Sequence, residues 1–144
     1  MRALLLGAAI ALGCATADRL STMDILDRAQ AAEKVEVKQV LVAWGDLAHA
    51  YKQGLDDAAR GRSEADAEAI ARAVLDQLRQ GQAIEPLMAA HSSDAATARS
   101  GETYPVEPGM PYEPKFLRLA LRLAVGESGV VRTRYGWHVL KRVQ

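Results

Sequence analysis

A chain of 144 residues, 49% hydrophobic and 25% charged, holds one ordinary domain and is too apolar for a disordered polymer. Its 18 basic and 18 acidic side chains balance, and only 5% of residues are aromatic, so neither phosphate neutralisation nor base stacking is provided for and no nucleic-acid partner is expected. One cysteine, Cys14, with His49, His91 and His138 supplies neither a disulfide framework nor a Cys/His metal pattern.

Residues 3–13, ALLLGAAIALG, run uncharged behind Met1-Arg2. That run is shorter than the ~20 residues a bilayer-spanning helix needs, and it suits the apolar centre of an export signal. Two processing outcomes follow. Ala11-Leu12-Gly13-Cys14 is similar to a bacterial lipobox, in which the cysteine becomes the lipidated first residue. Ala15-Thr16-Ala17 is similar to the A-x-A site of ordinary signal peptidase. The lipobox is favoured because the one cysteine stands directly after the apolar run. The expected organisation is a signal peptide over 1–13, a tether or short surface helix over 14–34 and a folded domain over 35–144. The expected place is the bacterial envelope, with the membrane as a partner through the lipid on Cys14. A soluble periplasmic or secreted form is the alternative.

Val35-Glu36-Val37-Lys38-Gln39-Val40-Leu41-Val42 alternates, then turns apolar, and is rich in β-branched residues, which predicts a central strand. Residues 43–62, with Gly45, Gly54, Gly61 and Asp56-Asp57, read as a long loop that carries a helical turn. Ser63 is placed to cap a helix in which Ala67, Ile70, Ala71, Val74 and Leu78 recur at helical spacing, and Gly81 closes it. A short helix is expected over Pro86 to His91 and another around Phe116, Leu119, Ala120 and Leu123, with an extended Ser/Gly/Pro stretch over 92–114 between them. Gly126-Glu127-Ser128-Gly129 reads as a turn. Val130-Val131 and Trp137 to Val143 then make a hairpin around Tyr135-Gly136. Adjacent strands at the end favour an α+β domain with an antiparallel sheet of about four strands and three to four helices.

Three motifs in this order resemble the parvulin-type peptidyl-prolyl cis/trans isomerases. The stretch Gly81 to Asp94, GQAIEPLMAAHSSD, is similar to the family's G-x-x-F-x-x-L-A-x-x-Y-S-x-D. The second runs from Phe116 through Leu123 to Gly126-Glu127-Ser128. The third, Thr133-Arg134-Tyr135-Gly136-Trp137-His138-Val139-Leu140-Lys141, is similar to the closing T-x-x-G-y-H-I-I-K. The resemblance covers about residues 35 to 143.

It implies a parvulin-like fold, proline-containing unfolded or partly folded polypeptides as partners, and no cofactor or metal. Twisting a prolyl peptide bond faces a barrier of ~18–20 kcal/mol yet breaks no bond, so the site needs a dry pocket for the ring and polar groups beside the amide. By resemblance Asp94 and His138 are catalytic, and Gln39 stands where the family's first-strand histidine does. Phe116 is the proline-pocket phenylalanine. Met110 lies six residues before Phe116 and Tyr112 four, so either fills the family's methionine position. Tyr104, in the remnant of a glycine-rich turn (Gly101 to Pro105), joins the substrate-binding set. The implied function is a foldase for exported proteins, and a peptide-holding chaperone or assembly factor of weak or absent turnover is the alternative. The basic residues beyond position 114, among them Arg132 and Arg134, predict mild preference for acidic residues beside the proline.

Overall fold

The structure, a computed structural model, describes Leu20 and residues 22–144. The expected signal segment and Cys14 lie outside the described residues. In chain order the elements are α1 (Met23–Leu26), β1 (Val35–Val42), a 3-10 helix (Gly45–Ala50), α2 (Asp57–Arg60), α3 (Glu64–Arg79), α4 (Ile84–His91), β2 (Tyr104–Val106), α5 (Pro114–Ala120), β3 (Ser128–Thr133) and β4 (Gly136–Arg142). The four strands form one antiparallel sheet in the order β2-β1-β4-β3. The α+β class is as expected, but the described residues hold six helical segments rather than three to four. Two of the additional ones fold the 43–62 stretch, where the Asp56 carboxylate accepts from Ala59 N–H at 3.2 Å and so caps α2.

Strand periodicity sorts the core into two halves. On one face Val40, Val42, Val130 and Val139 meet Ala67, Ala71, Val74, Leu75 and Leu78 of α3 and Ile84, Leu87 and Met88 of α4. Helix α3 is held at its start by a reciprocal capping box between Ser63 and Asp66, and Gly81 (φ 93°) follows its end. On the other face Val35, Val37, Val131 and Leu140 meet Phe116, Leu119 and Ala120 of α5. Each fully buried aliphatic side chain in these clusters contributes roughly 1.5–3 kcal/mol of transfer free energy.

Two glycines act through contact. A Cβ on Gly129 would lie 2.9 Å from Leu119 Cδ1, so this glycine lets α5 close on β3. The expected turn at 126–129 is therefore shorter, and Ser128 and Gly129 already belong to β3. Gly136 (φ 132°) begins β4, and a Cβ there would stand 2.5 Å from Val42 O. The hairpin loop is thus Arg134-Tyr135, with Thr133 opposite Gly136. Helix α4 opens at Ile84, two residues before Pro86; proline is tolerated in a first turn, whose N–H groups have no helical partner.

The described part of the 14–34 segment lies against the domain. The Thr22 hydroxyl donates to Val130 O at 2.7 Å and accepts from Val130 N–H at 3.3 Å, filling a place on the outer edge of β3. Ile25 and Leu26 are buried with α5, and Arg28 grips Glu127 with two bonds of 2.5 and 2.9 Å.

Candidate active site

The alternation of β1, β3 and β4 turns Gln39, Thr133 and His138 to the same face as Leu140 and Val131. Leu41 stands opposite His138 and Gln39 opposite Leu140, which makes Gln39 the diagonal neighbour of His138. Asp94 arrives from the loop after α4. Ser92 Oγ accepts from Leu41 N–H at 3.1 Å, and Ser93 N–H donates to Leu41 O at 2.6 Å, so this loop occupies the edge of β1 that β2 leaves uncovered. Asp94 is thereby carried beside Gln39.

The polar groups form a chain. Gln39 Nε2 donates to Asp94 Oδ2 at 2.8 Å, and Gln39 Oε1 accepts from His138 Nδ1 at 2.9 Å. Thr133 Oγ1 lies 2.6 Å from His138 Nε2 and accepts from Tyr135 N–H at 3.1 Å. Only the amide nitrogen of Gln39 can face a carboxylate, so its carbonyl faces the ring and His138 Nδ1 carries the proton. Nε2 is then bare and takes the Thr133 hydroxyl proton. His138 is neutral in this arrangement. Burial lowers its pKa to about 4, against a smaller upward pull from Asp94.

Asp94 accepts four hydrogen bonds. Oδ2 takes Gln39 Nε2, Thr97 Oγ1 at 2.8 Å and the Tyr104 hydroxyl, and Oδ1 takes Ala96 N–H at 3.2 Å. Three of the four donors converge on Oδ2, which fixes the carboxylate in place. The residue both organises the 94–98 turn and joins the polar chain. Tyr104 comes from β2, opposite Val37 and thus two residues from Gln39 along β1. Its hydroxyl is pushed up to about 12, first by burial and then by the bond to Asp94.

Above this floor lies a cavity of about 300 Å³. Gln39 and His138 form part of its base, Tyr104, Tyr112 and Phe116 one wall, and Pro111, Glu113, Arg134 and Tyr135 its rim. Phe116 meets His138 edge-on at 5.6 Å between ring centroids and Tyr112 at 5.2 Å, and Tyr104 stands edge-on to both Tyr112 and Phe116. Arg134 Nε pairs with Glu113 Oε1 at 2.9 Å across the rim. The Tyr51 hydroxyl donates to Tyr135 O and ties the 43–62 region to the hairpin tip.

The fold brings Gln39, Asp94, His138, Tyr104, Tyr112 and Phe116 into one place. Met110 does not line the cavity: its Sδ accepts from Glu107 N–H within a tight turn at Gly109, and Tyr112 takes the wall position four residues before Phe116. Thr133, Thr97, Tyr51 and Tyr135 are further members that the sequence reading did not single out. Thr133 was within reach, since the period of two aligns it with His138. Tyr51 carried no such signal, because only the tertiary fold sets the 3-10 segment against the hairpin. Arg132, grouped with Arg134 in the basic stretch beyond position 114, lies on the opposite face with Glu64 (2.8 Å) and over the Trp44 ring (5.1 Å). Arg134 sits in the turn, where the strand alternation has ended.

A four-stranded antiparallel sheet in the order β2-β1-β4-β3 with helices on both faces is the fold of the parvulin class. The sequence matches the rotamase family, described as the PPIC-type PPIASE domain, over residues 48–144, and the chain belongs to this family of peptidyl-prolyl isomerase domains. Its fold is similar to that of peptidyl-prolyl isomerase ESS1 from Candida albicans (TM-score 0.64, 19% identity, 78% of this chain and 63% of that one). It is similar to NmPin, the parvulin of Nitrosopumilus maritimus (TM-score 0.55, 20% identity, 80% of this chain and 100% of that one). A third similar structure is the peptidylprolyl isomerase PrsA from Bacillus cereus (TM-score 0.55, 21% identity, 86% of this chain and 39% of that one). At these identities the likeness is one of fold. No curated protein sequence matches the chain.

Proposed function

We propose that this protein accelerates cis/trans isomerisation of prolyl peptide bonds in exported polypeptides, from the bacterial envelope. The observation that carries the reading is the contact between the aromatic pocket and the polar chain: Phe116 stacks edge-on against His138, which bonds Gln39, which bonds Asp94. A proline ring seated against Phe116 and Tyr112 leaves its preceding amide beside these groups. A bound proline ring displaces water from the pocket, and the fixed dipoles act on the twisted amide, whose carbonyl and nitrogen are polarised differently from the planar form. No proton is transferred to substrate, so a glutamine in place of a titratable ring keeps the essential hydrogen bonds. A gain of ~5 kcal/mol already accelerates the reaction several-thousand-fold.

Localisation rests on the N-terminal segment. The apolar run before Cys14 and the lipobox-like Ala11-Leu12-Gly13-Cys14 support a lipid-anchored form, with removal of residues 1–13. Ordinary processing after Ala17 gives a soluble form in the same compartment. Intact-mass measurement of the mature protein separates the two: an acylated N-terminus at Cys14 supports the anchor, and an unmodified Asp18 refutes it.

A second reading, a peptide-holding module without turnover, draws on the full engagement of Asp94 with neighbours inside the protein. A protease-free isomerisation assay on proline peptides decides between the two. Acceleration that falls roughly 10²-fold in Asp94→Ala supports the enzyme. A folded protein that binds such peptides and matches the uncatalysed rate replaces it with the holding module.

A further inference from the structure

The chemistry lining the site bears on which prolyl bonds it takes, and the step below rests on the isomerase reading. We propose that the site selects prolyl bonds flanked by lysine or arginine.

Three observations point the same way. The first is the floor. The Asp94 carboxylate lies behind Gln39 and Tyr104, which line the cavity, and every hydrogen bond it accepts comes from a neutral donor. The charge is fixed in place and has no cationic partner among the described residues. The second is the rim. Glu113 and Arg134 are the charged residues that line the cavity, and they neutralise each other at 2.9 Å. Asp94 bonds Gln39 and Tyr104, which line the cavity, and stands directly behind them. Burial raises Tyr104 and Tyr51 and lowers His138; Asp94 adds to the rise of Tyr104 and opposes the fall of His138, and Asp56 and Asp94 add to the rise of Tyr51. The third is the wall. Tyr104, Tyr112, Phe116 and Tyr135 present aromatic rings, whose faces attract cations; Arg134 already lies 4.9 Å from the Tyr135 centroid.

The basic residues near the C-terminus do not offset this. Arg132 is spent on Glu64 and Trp44 on the far face, and Arg118 bonds Leu26 O and Asp27. The proposed preference is the opposite of the one expected from the basic stretch beyond position 114. A cationic side chain next to the proline stands within a few ångströms of the rim and within the reach of Asp94 through a low-dielectric wall.

The test compares peptides with Lys, Ala or Glu immediately before the proline, and a second series with the same residues immediately after it. At low ionic strength the lysine peptide of at least one series is expected to show kcat/KM about three- to ten-fold above its glutamate counterpart. The ratio falls toward one in about 0.5 M salt. Asp94→Asn lowers activity for every peptide, and the informative quantity is the ratio, which collapses. Arg134→Gln removes the rim cation and raises the ratio. Equal or glutamate-favouring ratios in both series overturn the proposal, as does a ratio that salt and Asp94→Asn leave untouched. If no peptide is turned over, the isomerase reading fails separately. Fluorescence titration of the same peptides on the full chain then decides the selectivity, with tighter lysine peptides supporting it and equal affinities overturning it.

Discussion

The two faces of the sheet are built from alternate residues of the same strands and both carry an aliphatic core, but only the front face also holds a chain of buried polar groups. Behind β1, β3 and β4, Val40, Val42, Val130 and Val139 close on α3 and α4 with aliphatic contacts. In front, one residue along each strand, Gln39, Thr133 and His138 are buried and polar. The rear face draws its stability from area removed from water, which is forgiving of detail. The front face holds polar groups in a dry setting, where each must find a partner or cost about 1–3 kcal/mol. A strand that alternates between the two lets a rigid core position a demanding site without mixing their requirements.

The largest expected effect lies on the rear face. Met88 is fully buried between α4 and the sheet, and Met88→Ala should cost about 2–5 kcal/mol of unfolding free energy. Activity per folded molecule should change little, because Met88 belongs to the rear core and lines no part of the cavity. Denaturant unfolding and a proline-peptide assay, read together, check this. A large drop in activity of the folded fraction would mean that the two faces are not separable.

The front face should give the reverse pattern with its own variants. Asp94→Ala and Phe116→Ala should lower kcat/KM by roughly 10²-fold in the folded protein, about 2.7 kcal/mol of transition-state stabilisation. Phe116→Ala costs stability as well, since its ring is shared with the α5 core. His91→Ala, at the half-exposed end of α4, should stay within about twofold. Equal losses in all three would remove the pocket from the mechanism.

This contrast explains what the sequence made legible. The rear face was readable from periodicity alone: α3 with its Ser63 cap and Gly81 end, and β1 from its alternation, because aliphatic burial repeats with the geometry of the element. On the front face Gln39, Asp94, His138 and Phe116 were found through motifs, since their neighbours are scattered in sequence. Met110 was weighed equally with Tyr112 because spacing along a loop does not reveal which way the chain turns at Gly109. Tyr51 and the Glu113–Arg134 pair depend on contacts across 84 and 21 positions, which leave no local trace.

A smaller effect concerns pH. Burial lowers His138 from 6.5 to about 4, so between these values the unfolded chain binds a proton that the folded protein refuses. Stability from this group is complete above about pH 6.5 and is lost as pH falls toward 4, by up to about 1.4 kcal/mol per unit. Glu85 and Glu127, lowered from 4.5 by Lys38 and Arg28, add their losses as pH falls below about 4.5. Chemical unfolding at pH 7, 6 and 5 measures the slope. Activity of the folded protein should stay level over the same interval, because the neutral ring keeps its hydrogen bonds. Gln39→His should bring a titration into that interval while leaving the rate at pH 7 unchanged or higher. A wild-type activity that falls with a midpoint near 6.5 would show that the ring charges in place.

The smallest effect returns to the rear face and to a residue one position from the site. Arg132 is next to Thr133, yet its guanidinium lies against Glu64 at the start of α3 and over Trp44. Both members of the ion pair are about half exposed (47% and 48%), so solvent screening limits the pair to about 0–1 kcal/mol. The cation–π contact adds about 0.5–1 kcal/mol at such a site. Arg132→Gln should therefore lower stability by about 1 kcal/mol, an effect reduced in high salt. It should leave turnover of lysine- and glutamate-flanked proline peptides in the same ratio as the wild type. Arg134→Gln, two residues further and on the rim of the cavity, should change that ratio while hardly altering stability, because its side chain is 68% exposed. The pair of variants separates the faces at their closest approach. If Arg132→Gln moved the peptide ratio as far as Arg134→Gln, its charge would act through the sheet, and the division between a structural and a functional face would end at Trp44.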